Sequence, residues 1–256
     1  YEEGVYMGYR FYETASALGY FTSDNLPDGE TDKYYNRDNG VVYPFGYGLS
    51  YTTFEQRIDS IKTTDKKIEL EIEVKNNGTA DGKDVVQVYY SAPYTSFDIS
   101  NKIEKPAAVL VGFAKTPVIK AGESKNVKIE FAVEDMASYC YTRENGDGTR
   151  GAYVLENGDY EITLRKNSHE VIDSRVYSVA KTIWYDYNNP RESEILAQSA
   201  MDENGNYLSY PMEAAVNTEA KFKAASNGFE KANTYMNDKN VSGATILTRN
   251  DWSATQ

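Results

Sequence analysis

The 256-residue chain carries 39 Asp and Glu but only one histidine, His169, and one cysteine, Cys140. Two carboxylates held roughly 5 to 9.5 Å apart can cleave a glycosidic bond. With this many acids such pairs arise by chance, and none stands in a distinctive setting. Glu2–Glu3, Glu134 in "EDM" and Asp147 in "GDGT" read as solvated or turn-forming groups. Nothing in the sequence pairs Cys140 with His169 as nucleophile and base. Tyr139 and Tyr141 beside Cys140 fit a buried structural thiol. One cysteine also excludes an internal disulfide and a Cys-based zinc cluster. "ENGDGTRG" (144–151) echoes a calcium loop, but its ligand spacing fails and it reads as a hairpin turn. A P-loop, a dinucleotide-binding glycine pattern and a Gly-x-Ser-x-Gly elbow are all missing. The sequons at Asn77 and Asn240 matter only in a eukaryotic secretory setting. The residues therefore assign no catalytic, cofactor-binding or metal-ligating role.

One stretch could still touch a ligand. "VVYPFGYGLSYTTF" (41–54) holds Tyr43, Phe45 and Tyr47 among Pro44, Gly46 and Gly48. The proline and glycines exclude a helix and a central strand, so the segment is a shaped loop. Its aromatics either stack on a sugar, whose C–H faces are apolar, or plug one domain into the next.

The elements around this loop are mostly strands. "KKIELEIEV" alternates strictly, with Ile68, Leu70, Ile72 and Val74 on one face. "KDVVQVYYSA" places Val86, Val88 and Tyr90 on one face, and "KNVKIEFAV" places Val127, Ile129, Phe131 and Val133. "FEQRIDSIKT", "AAVLVGFAK", "GAYVL", "GDYEITLRK" and "EVIDSRVYSV" complete the series, with turn clusters such as "NNGTADG" and "AGES" between them. About seven or eight short strands predict an antiparallel two-sheet sandwich of immunoglobulin or fibronectin type. Tyr160, entering its strand after a Gly-Asp turn, stands where a tyrosine corner is expected. "VEDMASYCY" (133–141) reads as one helical turn linking two strands. Ahead of the sandwich, "YEEGVYMGYRFYET" reads as a helical turn running into a strand, and 23–40 as a surface loop. Behind it, 190–201 and 218–236 read as short amphipathic helices.

The formal charge of −12 and pI near 4.7 argue against nucleic acid and anionic membrane surfaces. No apolar run reaches membrane-spanning length. The chain opens on Tyr1 rather than Met and reads as a piece of a longer protein.

The two N-terminal motifs and the sandwich after them closely resemble the C-terminal region of family 3 glycoside hydrolases, the β-glucosidase family. Glu3, Gly4, Gly8, Tyr9, Arg10 and Tyr12 match the family's E-G-x-x-x-G-Y-R-x-Y segment. Pro44, Phe45, Gly46, Gly48, Leu49, Ser50, Tyr51, Thr52 and Phe54 match its P-F-G-x-G-L-S-Y-T-x-F segment. "VKNNGTADGKDVVQVYYSAP" and "ENGDYEITL" follow the wording of its fibronectin type III-like domain.

The resemblance implies a mainly β chain. Residues 1–50 would end an α/β sandwich domain, 51–181 would form the fibronectin type III-like domain, and 182–256 a partly helical linker. "GATILTRNDWSATQ" is similar to the link into a barrel domain in members with swapped domain order. The family's catalytic aspartate lies in the barrel and its acid/base glutamate upstream of Tyr1, so catalytic residues: none, cofactor: none, metal: none in this chain. The parent would be a retaining β-glucosidase needing no cofactor. The partners implied are its barrel and α/β sandwich domains and the β-glucoside bound there, with no nucleic acid and no membrane. A soluble bacterial parent fits the composition. The alternatives are an independent carbohydrate-binding module using exposed tyrosines and an adhesion domain of immunoglobulin type. Without the rest of their domain, residues 1–50 are expected either to fold back on the sandwich through Phe45, Tyr47 and Leu49 or to stay poorly ordered.

Overall fold

The computed structural model describes residues 5–18, 41, 43–146, 150–186 and 188–192. The two helices expected beyond Pro190 and the loop expected at 23–40 lie outside the described residues. Helix α1 (Tyr9–Ala17) comes first, followed by β1 (Phe54–Thr63), β2 (Lys67–Asn76) and β3 (Val85–Ser91). Helix α2 (Ser96–Asn101) interrupts the strands before β4 (Val109–Lys115) and β5 (Ser124–Ala132). Then come β6 (Ser138–Glu144), β7 (Arg150–Leu155), β8 (Gly158–Arg165), β9 (Val171–Val179) and β10 (Ile183–Tyr185).

Every strand pairing is antiparallel. One sheet has the order β1-β2-β5, a second β4-β3-β8-β9, and a small third β10-β7-β6. The first two face each other. Ile68, Leu70, Ile72 and Val74 of β2 are fully buried, and Val86, Val88, Ile162 and Leu164 meet them from the second sheet. The predicted alternation thus faces the core, and burying each such aliphatic side chain stabilises the fold by about 1.5–3 kcal/mol. Gly112 on β4 packs directly against Ile129 of β5 in the facing sheet, and a Cβ there would run into the Ile129 side chain. The tyrosine corner is present. Tyr160 is buried and its hydroxyl donates to the Glu156 carbonyl at 3.2 Å.

Four elements differ from the sequence reading: α1, β6, β10 and α2. The segment expected to run from a helical turn into a strand is the nine-residue helix α1. The turn expected in "VEDMASYCY" is there, a 3-10 turn at Val133–Met136 linking β5 to β6, but β6 itself was not foreseen. Its side chains are mostly half-buried, so the sequence shows no clean alternation there. Strand β10 is only three residues long, and its pairing with β7 makes it a strand. Helix α2 carries a capping box. Thr95 Oγ1 accepts from Phe97 N at 3.1 Å and Asp98 Oδ2 accepts from Thr95 N at 2.8 Å. The Thr95-x-x-Asp98 spacing signals that start in the sequence. Among the described residues no helix is long and apolar enough to cross a membrane.

Candidate functional site

Strand β3 is buried at five consecutive positions, Val86 to Tyr90. A strand with one wet face would alternate, so both of its faces are covered. Val86, Val88 and Tyr90 point into the core. Gln87 and Tyr89 point the other way, and the N-terminal segment covers them. Tyr9 of α1 meets the Tyr89 ring edge-on at 6.0 Å between centroids, and its hydroxyl accepts from Leu110 N at 2.9 Å. Phe45 stacks on the other side of Tyr9 at 5.0 Å. The Phe45 carbonyl accepts from Ser168 N at 2.8 Å. Gly46 takes φ +82°, and a Cβ there would collide with the Gln87 amide, so glycine is required twice over.

Polar groups seal the same junction. Glu13, 5% exposed, accepts from Ser168 Oγ through Oε1 at 2.6 Å, and its Oε2 lies 2.8 Å from His169 Nδ1. Arg165, 8% exposed, donates to Thr163 Oγ1 at 2.8 Å and the Ser168 carbonyl at 2.7 Å, with its guanidinium 5.5 Å above the Tyr89 ring. Burial pulls the Arg165 guanidinium below its ordinary pKa, against the opposing charge of Glu13. Thr14 Oγ1 accepts from Ala107 N at 2.9 Å. A helix and a glycine-shaped loop, far apart in sequence, thus form a third layer on the β3–β8 face.

The loop turns its remaining aromatics outward. Tyr43 is 80% exposed, Leu49 90% and Tyr51 fully, while Tyr47 is about half exposed. The expectation of packing through Phe45, Tyr47 and Leu49 is therefore met only in part: Phe45 stacks on Tyr9 while half exposed, Tyr47 is likewise half exposed, and Leu49 packs on nothing among the described residues. Tyr43 and Tyr47 meet each other at 67° between ring planes, so they form no flat stacking platform.

The sequence candidates for chemistry are scattered. Cys140 is fully buried beside Ile103 and Val154, with Sγ 3.8 Å from the Asn101 carbonyl, while His169 is engaged with Glu13. Glu134 Oε2 accepts from Glu192 N at 3.0 Å. Asn77 is exposed and donates to Glu55 at 2.9 Å. Glu2, Glu3, Asp147 and Asn240 lie outside the described residues. Among the described residues no cluster of three or more His, Cys, Asp and Glu could hold a metal ion. Sequence reasoning missed a buried ion cluster in which Lys105 Nζ lies 2.7 Å from both Asp98 Oδ1 and Glu156 Oε2.

The family model of the fibronectin type III-like domain matches residues 84–168. A β-glucosidase of Kluyveromyces marxianus is 33% identical over 186 residues, covering 72% of this chain and 18% of its own length. β-Glucosidase A of Butyrivibrio fibrisolvens is 34% identical over 239 residues, covering 86% of this chain and 25% of its own length. The solved structure of β-glucosidase 3B from Thermotoga neapolitana, in complex with α-D-glucose, superposes with a TM-score of 0.53 at 31% identity. That match covers 73% of this chain and 21% of the Thermotoga chain. The chain spans about a fifth to a quarter of the length of these relatives. The sandwich, its tyrosine corner and these matches show a fibronectin type III-like domain in a chain similar to part of the family 3 β-glucosidases.

Proposed function

We propose that the parent protein is a retaining β-glucosidase acting on terminal β-linked sugars, and that this region braces its catalytic domains. The carrying observation is the third layer on the four-stranded sheet. Half-exposed Phe45 stacked on Tyr9, the Phe45 carbonyl bonded to Ser168 N, and buried Glu13 bonded to Ser168 fasten the end of one domain onto the fibronectin-type sandwich. Tyr43, Leu49 and Tyr51, exposed on the same loop, then face the remainder of the enzyme. Residues 1–50 are the end of an α/β sandwich domain, 51–181 the fibronectin-type domain, and 182–256 a linker to a barrel that follows. The Butyrivibrio match supports that order, since cover of 86% of the chain must run past residue 192.

The test is hydrolysis of an aryl β-glucoside by this chain, beside the full-length parent. The expected result is turnover by the parent and none by the chain. Turnover by the chain would put a catalytic carboxylate pair within it and overturn the bracing role. A parent that cleaves only α-glycosides would overturn the substrate class.

A further inference from the structure

The excursion between β3 and β4, residues 92–108, is built around one buried cluster. Lys105 Nζ lies 2.7 Å from Asp98 Oδ1, 2.7 Å from Glu156 Oε2 and 2.7 Å from the Pro93 carbonyl. The three side chains are 3%, 0% and 5% exposed. Glu156 Oε1 accepts from Thr95 Oγ1 at 2.6 Å, and Asp98 Oδ2 accepts from Thr95 N at 2.8 Å. Ile103 and Leu155 beside the cluster in sequence are fully buried. An amine, a carboxyl group and a second carboxylate are thus held in contact, away from water.

We propose that Lys105 and Asp98 condense into an intramolecular amide, with Glu156 carrying the proton. A lone cation between two buried carboxylates leaves an excess negative charge, which burial penalises. Transfer of one proton to Asp98, the fully buried carboxyl that burial favours in its neutral form, supplies the amine and the acid from which an amide is made. The two carboxyl groups are driven apart accordingly. Burial raises Asp98 above the ordinary aspartate range, against the hydrogen bond from Lys105. Burial also pushes on Glu156, but hydrogen bonds from Lys105 and Thr95 outweigh it and hold this group low. Carboxyl groups separated in this way divide into acid and base.

In the reaction the Lys105 nitrogen lone pair attacks the Asp98 carboxyl carbon. Glu156 takes one of the two amine protons and delivers it to the departing hydroxyl. The C–O bond breaks, one water leaves, and the remaining N–H belongs to the new amide. No oxidant or co-reactant enters. Fixed contact between reacting groups replaces the activation that such a condensation needs in solution. The product staples residue 98 to residue 105 in a chain whose single cysteine allows no internal disulfide.

The deciding measurement is the intact mass of the folded, purified chain after acid denaturation. The expected mass is that of the sequence less one water. Trypsin, which does not cut between Lys105 and Pro106, should then release peptides 84–102 and 103–115 joined. Full sequence mass with the two peptides separate overturns the bond. Loss of water mapped to another peptide, such as one containing an Asp-Gly pair, overturns it as well. Glu156→Gln should restore the full mass, and retention of the bond in that variant would overturn the role given to Glu156.

Discussion

Asn76 ends β2 with no exposed surface, and four hydrogen bonds satisfy its side chain. Its Oδ1 accepts from Thr52 Oγ1 at 2.7 Å and Gly78 N at 3.1 Å. Its Nδ2 donates to the carbonyls of Ala80 at 2.8 Å and Ile119 at 2.9 Å. Alanine there strands buried partners, so Asn76→Ala should destabilise the domain by about 1–3 kcal/mol, read as a lower urea midpoint at unchanged slope. Tyr160→Phe removes only the corner hydrogen bond and keeps the ring, so it should cost about 0.5–1.5 kcal/mol in the same titration. Glu104 sets a pH dependence. Burial lifts its carboxyl from the usual 4.5 to about 8. The folded state then holds a proton that the unfolded state has released, so stability falls as pH rises from about 4.5 to about 8 and levels off above. Glu104→Gln removes that fall. The variant should match the wild type near pH 4 and exceed it near pH 9 in thermal melts, and parallel curves would refute the assignment.

At the scale of elements, the N-terminal segment and the sandwich depend on each other. A chain starting at residue 51 would expose Gln87, Tyr89, Thr163 and Arg165, all buried under α1 and the glycine loop. We expect its melting temperature to fall, and an unchanged value would remove any packing role for Tyr9 and Phe45. Gly46→Ala is the local version of that test. It forces a side chain into φ +82° and against Gln87, which should cost about 1–3 kcal/mol. Strand positions were readable because alternation is local: Ile68 to Val74 face the core as their spacing predicts. Strand β6 was not readable. Its half-buried side chains carry no period, and its pairing with β7 defines it. Covering of the outer face of β3 was not readable, because Gln87 interrupts the apolar run "VVQVYY" and the covering residues lie some 40 to 80 positions away.

At the scale of the whole molecule, the acidic surface and the scattered carboxylates agree with a supporting part of a larger enzyme. Composition alone determined that the chain holds no internal disulfide and no zinc cluster of several cysteines, since each needs more than one. Period-2 patterning determined the sandwich, because alternation is how one residue in two reaches the core. The motif at 41–54 determined a shaped loop, because its proline and glycines forbid regular structure. Which of its aromatics dock was decided only in three dimensions: Phe45 meets Tyr9, while Tyr43 and Tyr51 remain exposed. The meeting of Lys105, Asp98 and Glu156 was decided there too. Such contacts depend on the crossing of chain segments distant in sequence, and no local spacing encodes a crossing.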